Sequence, residues 1–244
     1  MTSRVSGIVL LFAVVTMTAV AQTPEVRTRW FQTQEDSVLV EYALPAGAPV
    51  RPAVMVLSDR FGPQENVRAA LKVLATLGYR AYAPPLRSAP LQAISGMPAA
   101  AVDSLDAVLL TEIAVDIMND SGCTGSIGLL GFDMGANVAI EALRRFPFFR
   151  SAALFYPAGG INTLTGLLKA DAVLQLHVAQ FDPECTISDV NRLRERFMEA
   201  HRKLHVFYYK DAHRFFFNPQ HAQYHRKNTQ SAWSRLNEYF RRTL

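Results

Sequence analysis

The sequence predicts one α/β domain, a mostly parallel sheet with helices on both faces. Three observations predict it. First, short apolar runs alternate with stretches of helical spacing, joined by short links. Second, runs such as Ala53 to Ser58 and Ser151 to Tyr156 are apolar nearly throughout, the mark of strands buried on both faces. Third, polar residues gather just after these runs, at the carboxyl ends of strands, where sheets of this kind hold their ligands.

Composition narrows the class. The chain has 244 residues, half of them apolar and 19% charged, which suits a packed core and not a disordered chain. The formal net charge is only +4 and the basic residues are scattered, so nucleic acid is not an expected partner. At the N-terminus Arg4, an apolar run from Ile8 to Val15, and Thr18-Ala19-Val20-Ala21 predict a signal peptide over residues 1–21, cleaved before Gln22. The run is short for a membrane anchor and is weakened by Thr16 and Thr18. The mature chain, residues 22–244, is expected to be secreted or periplasmic, without a stable membrane span, and to act as a monomer. Cys123 and Cys185 fall at opposite ends of strands in a parallel sheet, too far apart to bridge.

The elements follow in order. Val26 to Phe31 and Ser37 to Tyr42 are β-rich runs separated by a polar turn, an antiparallel hairpin at a sheet edge. Ala53 to Ser58 is the first buried strand. Asn66 to Leu77 carries apolar residues at helical spacing and ends at Gly78, a C-cap residue. Arg80 to Pro84 is the next strand. Residues 86–102 read as a long loop, and a helix is expected from Asp103 to about Asn119. A strand then runs to Gly131, followed by a helix that Pro147 stops. Strands at Ser151 to Tyr156, Ala172 to Ala179 and Leu204 to Tyr209 complete the sheet. A helix capped by Ser188 and a final amphipathic helix from His221 to Phe240 complete the second layer.

One turn stands out. Gly131-Phe132-Asp133-Met134-Gly135 has the form of a nucleophile elbow, a sharp strand-to-helix turn that presents one side chain at the top of the sheet. Its glycines make room where a Cβ would crowd the turn. The alternative is an Asp that merely caps the helix. Asp182 and His213 each follow a later strand, so the order is elbow, acid, histidine, the chain order of α/β-hydrolases. Asp59 after the first buried strand completes the polar edge.

These residues resemble the dienelactone hydrolase family from about Ala53 to the C-terminus. The resemblance rests on Phe61-Gly62, Leu77-Gly78-Tyr79, Ala83-Pro84, the elbow, Phe181-Asp182-Pro183 and Ala212-His213-Arg214-Phe215. It implies a single-domain α/β-hydrolase without a cap domain. It also implies catalytic roles for Asp133, Asp182 and His213, an oxyanion hole from the backbone N–H groups of Met134 and Arg60, and substrate contacts from Asp59, Phe61, Arg87, Tyr156 and Phe215. The chain departs from the family pattern at the elbow, where Asp133 replaces the usual Cys, and at Asp59, where a Glu is frequent. Phe215-Phe216-Phe217 replaces a substrate-carboxylate arginine and points to a more apolar pocket.

The expected activity is hydrolysis of a small ester, lactone or other electrophilic substrate: the Asp133 carboxylate attacks the electrophilic carbon to form an enzyme ester, and His213, oriented by Asp182, activates water to cleave it. No cofactor and no metal is expected, because Asp59, Asp133 and His213 do not have the spacing of a metal motif. The alternative is a catalytically inactive hydrolase fold that binds a ligand or partner. His177, inside a strand, reads as a packed core histidine, and Cys185 as an ordinary loop cysteine.

Overall fold

The computed structural model describes residues 23–35, 37–47, 50–62, 64–86, 99–169 and 171–244. Eight strands form one sheet: β1 Arg27–Gln32, β2 Ser37–Ala43, β3 Arg51–Leu57, β4 Arg80–Ala83, β5 Cys123–Phe132, β6 Ser151–Phe155, β7 Val173–Phe181 and β8 Leu204–His213. Among the described residues, five α-helices accompany them: α1 Glu65–Thr76, α2 Ala99–Asn119, α3 Met134–Arg145, α4 Ile187–Glu199 and α5 Arg226–Thr243. A 3₁₀ segment, Gly160–Lys169, follows β6 and has no counterpart in the sequence reading.

The strand order is β1-β2-β4-β3-β5-β6-β7-β8. β1 pairs with β2, and β2 with β4, antiparallel, so the N-terminal hairpin forms one edge. The pairs from β4 through β3 to β8 are parallel. After β3 the chain moves outward to β4, then returns across the sheet to β5 on the other side of β3. The order therefore reverses between β3 and β5, which in sheets of this kind marks the ligand crevice, at the carboxyl ends of the strands. Asp59 and Arg60 leave β3 at that point, and Asp133 leaves β5 there.

Two apolar layers sandwich the sheet. Buried residues of α2, α3 and α4, such as Leu110, Val138 and Leu193, pack on one face against Met55, Leu129 and Leu176. α1 and α5, through Leu71, Leu74, Leu236 and Phe240, cover the other face over Val54, Val56 and Leu130. The continuous apolar runs of β3, β5 and β6 reflect this double covering. His177 is wholly buried between Gln175 Oε1 (2.8 Å) and the Tyr209 hydroxyl (2.7 Å). Burial, reinforced by the charge of Arg235, pushes its pKa well down, so it sits in the core as a neutral ring. Cys123 opens β5 and Cys185 is buried beyond β7; both are free thiols.

Several boundaries differ from the sequence reading, and two strands run on beyond their expected ends, β7 to Phe181 and β8 to His213. The helix expected from Asp103 already begins at Ala99. Thr186, not Ser188, caps α4, because its hydroxyl accepts from the Asp189 N–H at 3.2 Å. The final helix starts at Arg226 and not at His221, with the His225 ring accepting from the Asn228 N–H at 3.3 Å.

The crevice depends on close backbone approach. Gly135 donates to Ser58 O at 3.0 Å, and a Cβ there would lie 2.4 Å from the carbonyl oxygens of Leu57 and Ser58. Those atoms are backbone and cannot step aside. Gly135→Ala should therefore destabilise the fold by about 1–3 kcal/mol, the usual effect of overpacking, and a urea melt would read this as a lower midpoint at unchanged slope.

Candidate active site

β5 ends at Phe132, and α3 begins two residues later at Met134. Asp133 makes the turn between them with φ 52° and ψ −112°. A non-glycine residue adopts this conformation only when its surroundings force it. Here the Asp133 N–H donates to Phe155 O (3.0 Å), and the Asp133 carbonyl accepts from Ala136 and Ala158. A Cβ on Gly131 would meet Gly135 O and the Ala136 Cα at 2.7 Å. The Asp133 side chain makes no cap hydrogen bond to α3. It stands up from the turn, fully buried, so the turn is an elbow and not a simple cap.

Two arginines hold the Asp133 carboxylate. Arg60 donates from Nε to Oδ2 at 2.6 Å and from Nη2 to Oδ1 at 2.7 Å, a bidentate pair, and its backbone N–H reaches Oδ2 at 3.2 Å. Arg214 donates from Nη2 to Oδ1 at 2.5 Å. Its Nη1 points the other way, to both oxygens of Asp182 at 3.2 and 3.3 Å. Glu184 lies 3.6 Å from Arg60 and 3.5 Å from Arg214. Burial, the largest influence on Asp133, pushes its carboxyl up. The hydrogen bonds and charges of the two arginines outweigh burial and hold it below the usual carboxylate range. For Asp182 burial prevails over the Arg214 charge and the Glu184 N–H, and its carboxyl is raised.

The structure thus brings Asp133 and Asp182 together, but through Arg214. His213 does not join them. It is exposed and its ring packs on Phe181 at a centroid distance of 4.9 Å. The reason is register. Adjacent residues at the end of β8 point to opposite sides, and the inward place falls to Arg214, 7% exposed, in place of its neighbour. The expected base is therefore displaced by one position.

Other predicted residues divide in the same way. The Arg60 backbone N–H, expected in an oxyanion hole, is bonded to the Asp133 carboxylate, and so is its side chain. Met134 opens α3 directly beneath the elbow. Asp59 is buried and braces the loops: Oδ1 accepts from the Phe61 N–H at 3.0 Å, while Oδ2 accepts from Asn218 at 3.3 Å and Asn66 at 3.4 Å. Burial raises its carboxyl above the ordinary value. Tyr156 is buried behind the Arg214 guanidinium, 5.8 Å from ring centroid to Cζ, so it supports the site and does not line it. Phe61 and Phe215 meet at 5.3 Å on the rim. Arg87 lies outside the described residues. Among the described residues no three His, Cys, Asp or Glu side chains converge as metal ligands.

Sequence reasoning passed over the side chains of Arg60 and Arg214, and Glu184. A usable signal existed. An acid at a buried elbow requires a counter-charge, and Arg60 and Arg214 stand on the exit loops of β3 and β8, next to the crevice.

The strand order, the strained elbow and the polar groups at the β3, β5, β7 and β8 exits define an α/β-hydrolase. Residues 40–244 match the model of the dienelactone hydrolase family, and the chain belongs to that family. It is 23% identical over 226 residues to a "Putative carboxymethylenebutenolidase" of Methylorubrum extorquens, covering 85% of this chain and 78% of that one. A relative of the same name from Salmonella typhi is 25% identical over 229 residues, covering 85% and 84%. Among solved structures, the "Putative Dienelactone Hydrolase" of Klebsiella pneumoniae superposes with a TM-score of 0.78 at 20% identity, covering 90% of this chain and 99% of that one. A dienelactone hydrolase-like promiscuous phosphotriesterase from metagenomic libraries superposes with 0.76 at 16%, covering 91% and 99%.

Removing Arg214 strands the buried Asp182 carboxylate and takes one of two cations from Asp133. Arg214→Met should cost about 3–5 kcal/mol, as breaking a buried ion pair does, measured by denaturant unfolding near neutral pH. The Asp133 contribution has a definite pH window. Its folded pKa is depressed, so the stability it adds is fully present above its ordinary value of 3.8 and is lost as pH falls through the lower folded value. The stability gap between wild type and Asp133→Asn should therefore hold down to about that value and close only in stronger acid, followed by unfolding across an acid series.

Proposed function

We propose that this chain is a hydrolase of a small ester or lactone, working around Asp133 at the carboxyl edge of the sheet. The observation that carries the reading is the elbow: a carboxylate held at φ 52° where β3 and β5 diverge, with the Arg60 N–H directed at its side chain. Membership of the dienelactone hydrolase family and likeness to relatives named for carboxymethylenebutenolidase support hydrolysis as the reaction class.

In this reading Asp133 acts as a base and not as a nucleophile. A carboxylate attacking an ester gives a mixed anhydride, which is less stable than the ester. A water molecule that yields its proton to Asp133 attacks the carbonyl directly and avoids the anhydride. The tetrahedral intermediate then breaks its bond to the alcohol oxygen, and the leaving alkoxide takes the proton from Asp133, which returns to the carboxylate. The developing oxyanion is stabilised by the backbone N–H groups of Arg60 and Met134. Access requires one arginine to leave. The Arg60 side chain is 41% exposed and the Arg214 side chain 8%, so Arg60 swings out while Arg214 stays on Asp182. A carboxylate with a depressed pKa is a weak base, and turnover is slow.

An aryl acetate and a lactone panel test this. Slow turnover is expected, lost in Asp133→Ala, and in ¹⁸O-water the label should enter the product acid and not the Asp133 carboxylate. An active Asp133→Ala variant, or silence across the panel, overturns the reading.

One observation favours a second reading, an inactive hydrolase fold that binds a ligand. Arg214 bridges the elbow residue and the acid, the space a triad histidine occupies, and closes the site as an ion pair. The double variant Asp133→Cys with Arg214→His separates the two. Aryl acetate hydrolysis that appears in the double variant and is absent from wild type selects the binding reading. The N-terminal pattern of Arg4, an apolar run and small residues supports export of the mature chain, which N-terminal sequencing of exported protein would test.

A further inference from the structure

The rim of the site has two properties that the hydrolytic reading leaves unused, its charge balance and its rings. Four acids, Asp59, Asp133, Asp182 and Glu184, surround two cations, Arg60 and Arg214. Arg60 contacts Asp133 and Glu184, and Arg214 contacts Asp133, Asp182 and Glu184. Among the described residues, each guanidinium at the site already has carboxylate partners, leaving none free to meet a carboxylate from outside. Burial raises the carboxyls of Asp59 and Asp182, but this does not invert the sign. Even with both protonated, Asp133 and Glu184 balance the two arginines.

Beside these charges lies a shelf of rings. Phe61 is 46% exposed. Its ring lies 5.3 Å from Phe215 and 5.9 Å from His221, and Phe215 and His221 are 4.7 Å apart. Phe215 also abuts Tyr156 at 5.4 Å and lies within 5.8 Å of the Arg60 guanidinium. Phe215 has φ 66° and Tyr156 φ 36°. With Asp133, three strained non-glycine residues meet at one spot. Bulky residues rarely hold positive φ, and strain of this kind gathers where a site is held ready for a ligand.

We propose that the site takes an uncharged substrate carrying an aromatic or similarly flat apolar group, laid on Phe61, Phe215 and His221, and rejects analogues that carry a carboxylate. The proposal rests on reading the surroundings of Asp133 as the substrate site. It does not rest on turnover. The rings supply offset and edge contacts for a planar group, and the excess of acids repels an anion that finds no unpaired cation.

Ligand-observed NMR titration of the full mature chain tests this, with benzylacetone and hydrocinnamate as probes. They share ring and chain and differ in a neutral ketone against a carboxylate. The ketone should bind at least tenfold more tightly. Phe61→Ala, a change at a half-exposed side chain, should weaken the ketone about tenfold. Glu184→Gln should narrow the gap by strengthening hydrocinnamate. Equal or tighter binding of hydrocinnamate, indifference to Phe61→Ala, or no ketone binding in the millimolar range overturns the proposal. Because binding is the readout, a protein that prefers the ketone yet turns over no ester keeps this inference and loses the hydrolytic one.

Discussion

A carboxylate with no exposed surface sits at a strained strand-to-helix turn, and the rest of the site is arranged to keep it charged. Placing Asp133 in the crevice removes it from water, which by itself favours the neutral acid. Arg60 and Arg214 reverse that preference with four side-chain and main-chain donors. Arg214 in turn is held by Asp182, and both arginines lie near Glu184. The network is closed in the sense that matters energetically: removing one member leaves another buried charge without its partner.

The same constraint explains how the backbone is used. The elbow can present Asp133 only because Gly131 and Gly135 carry no Cβ, which at either position would lie within 3 Å of neighbouring backbone atoms. Gly135 binds the chain leaving β3, which also carries Asp59 and Arg60. Asp59 ties that loop to Asn218 beyond β8. Four strand exits are thus cross-linked around one carboxylate, which is how the turn tolerates a positive φ at three bulky or charged residues.

Much of this architecture was legible in the residues. β3, β5 and β6 announced themselves as unbroken apolar runs, because strands covered on both faces carry no polar alternation. The hairpin of β1 and β2, the G-x-D-x-G turn and the Asp182 exit loop were readable for local reasons of the same kind. The 3₁₀ segment Gly160–Lys169 was not; it is held by packing against α3 and α4. The start of α5 was placed too early because the turns after β8 carry residues compatible with a helix, while His225 sets the boundary through a single side-chain bond.

The sequence by itself determined the fold, the elbow and the presence of an acid at each of three strand exits, because these follow from short-range periodicity, glycine placement and order along the chain. Only the tertiary structure decided which neighbour at the end of β8 faces inward. His213 and Arg214 are adjacent, both polar and both compatible with an exit loop. The choice falls to Arg214 through the register of β8 on β7 and the need of two buried carboxylates for a cation between them. That need arises only when strands far apart in sequence bring Asp133 and Asp182 together, and no local pattern encodes it.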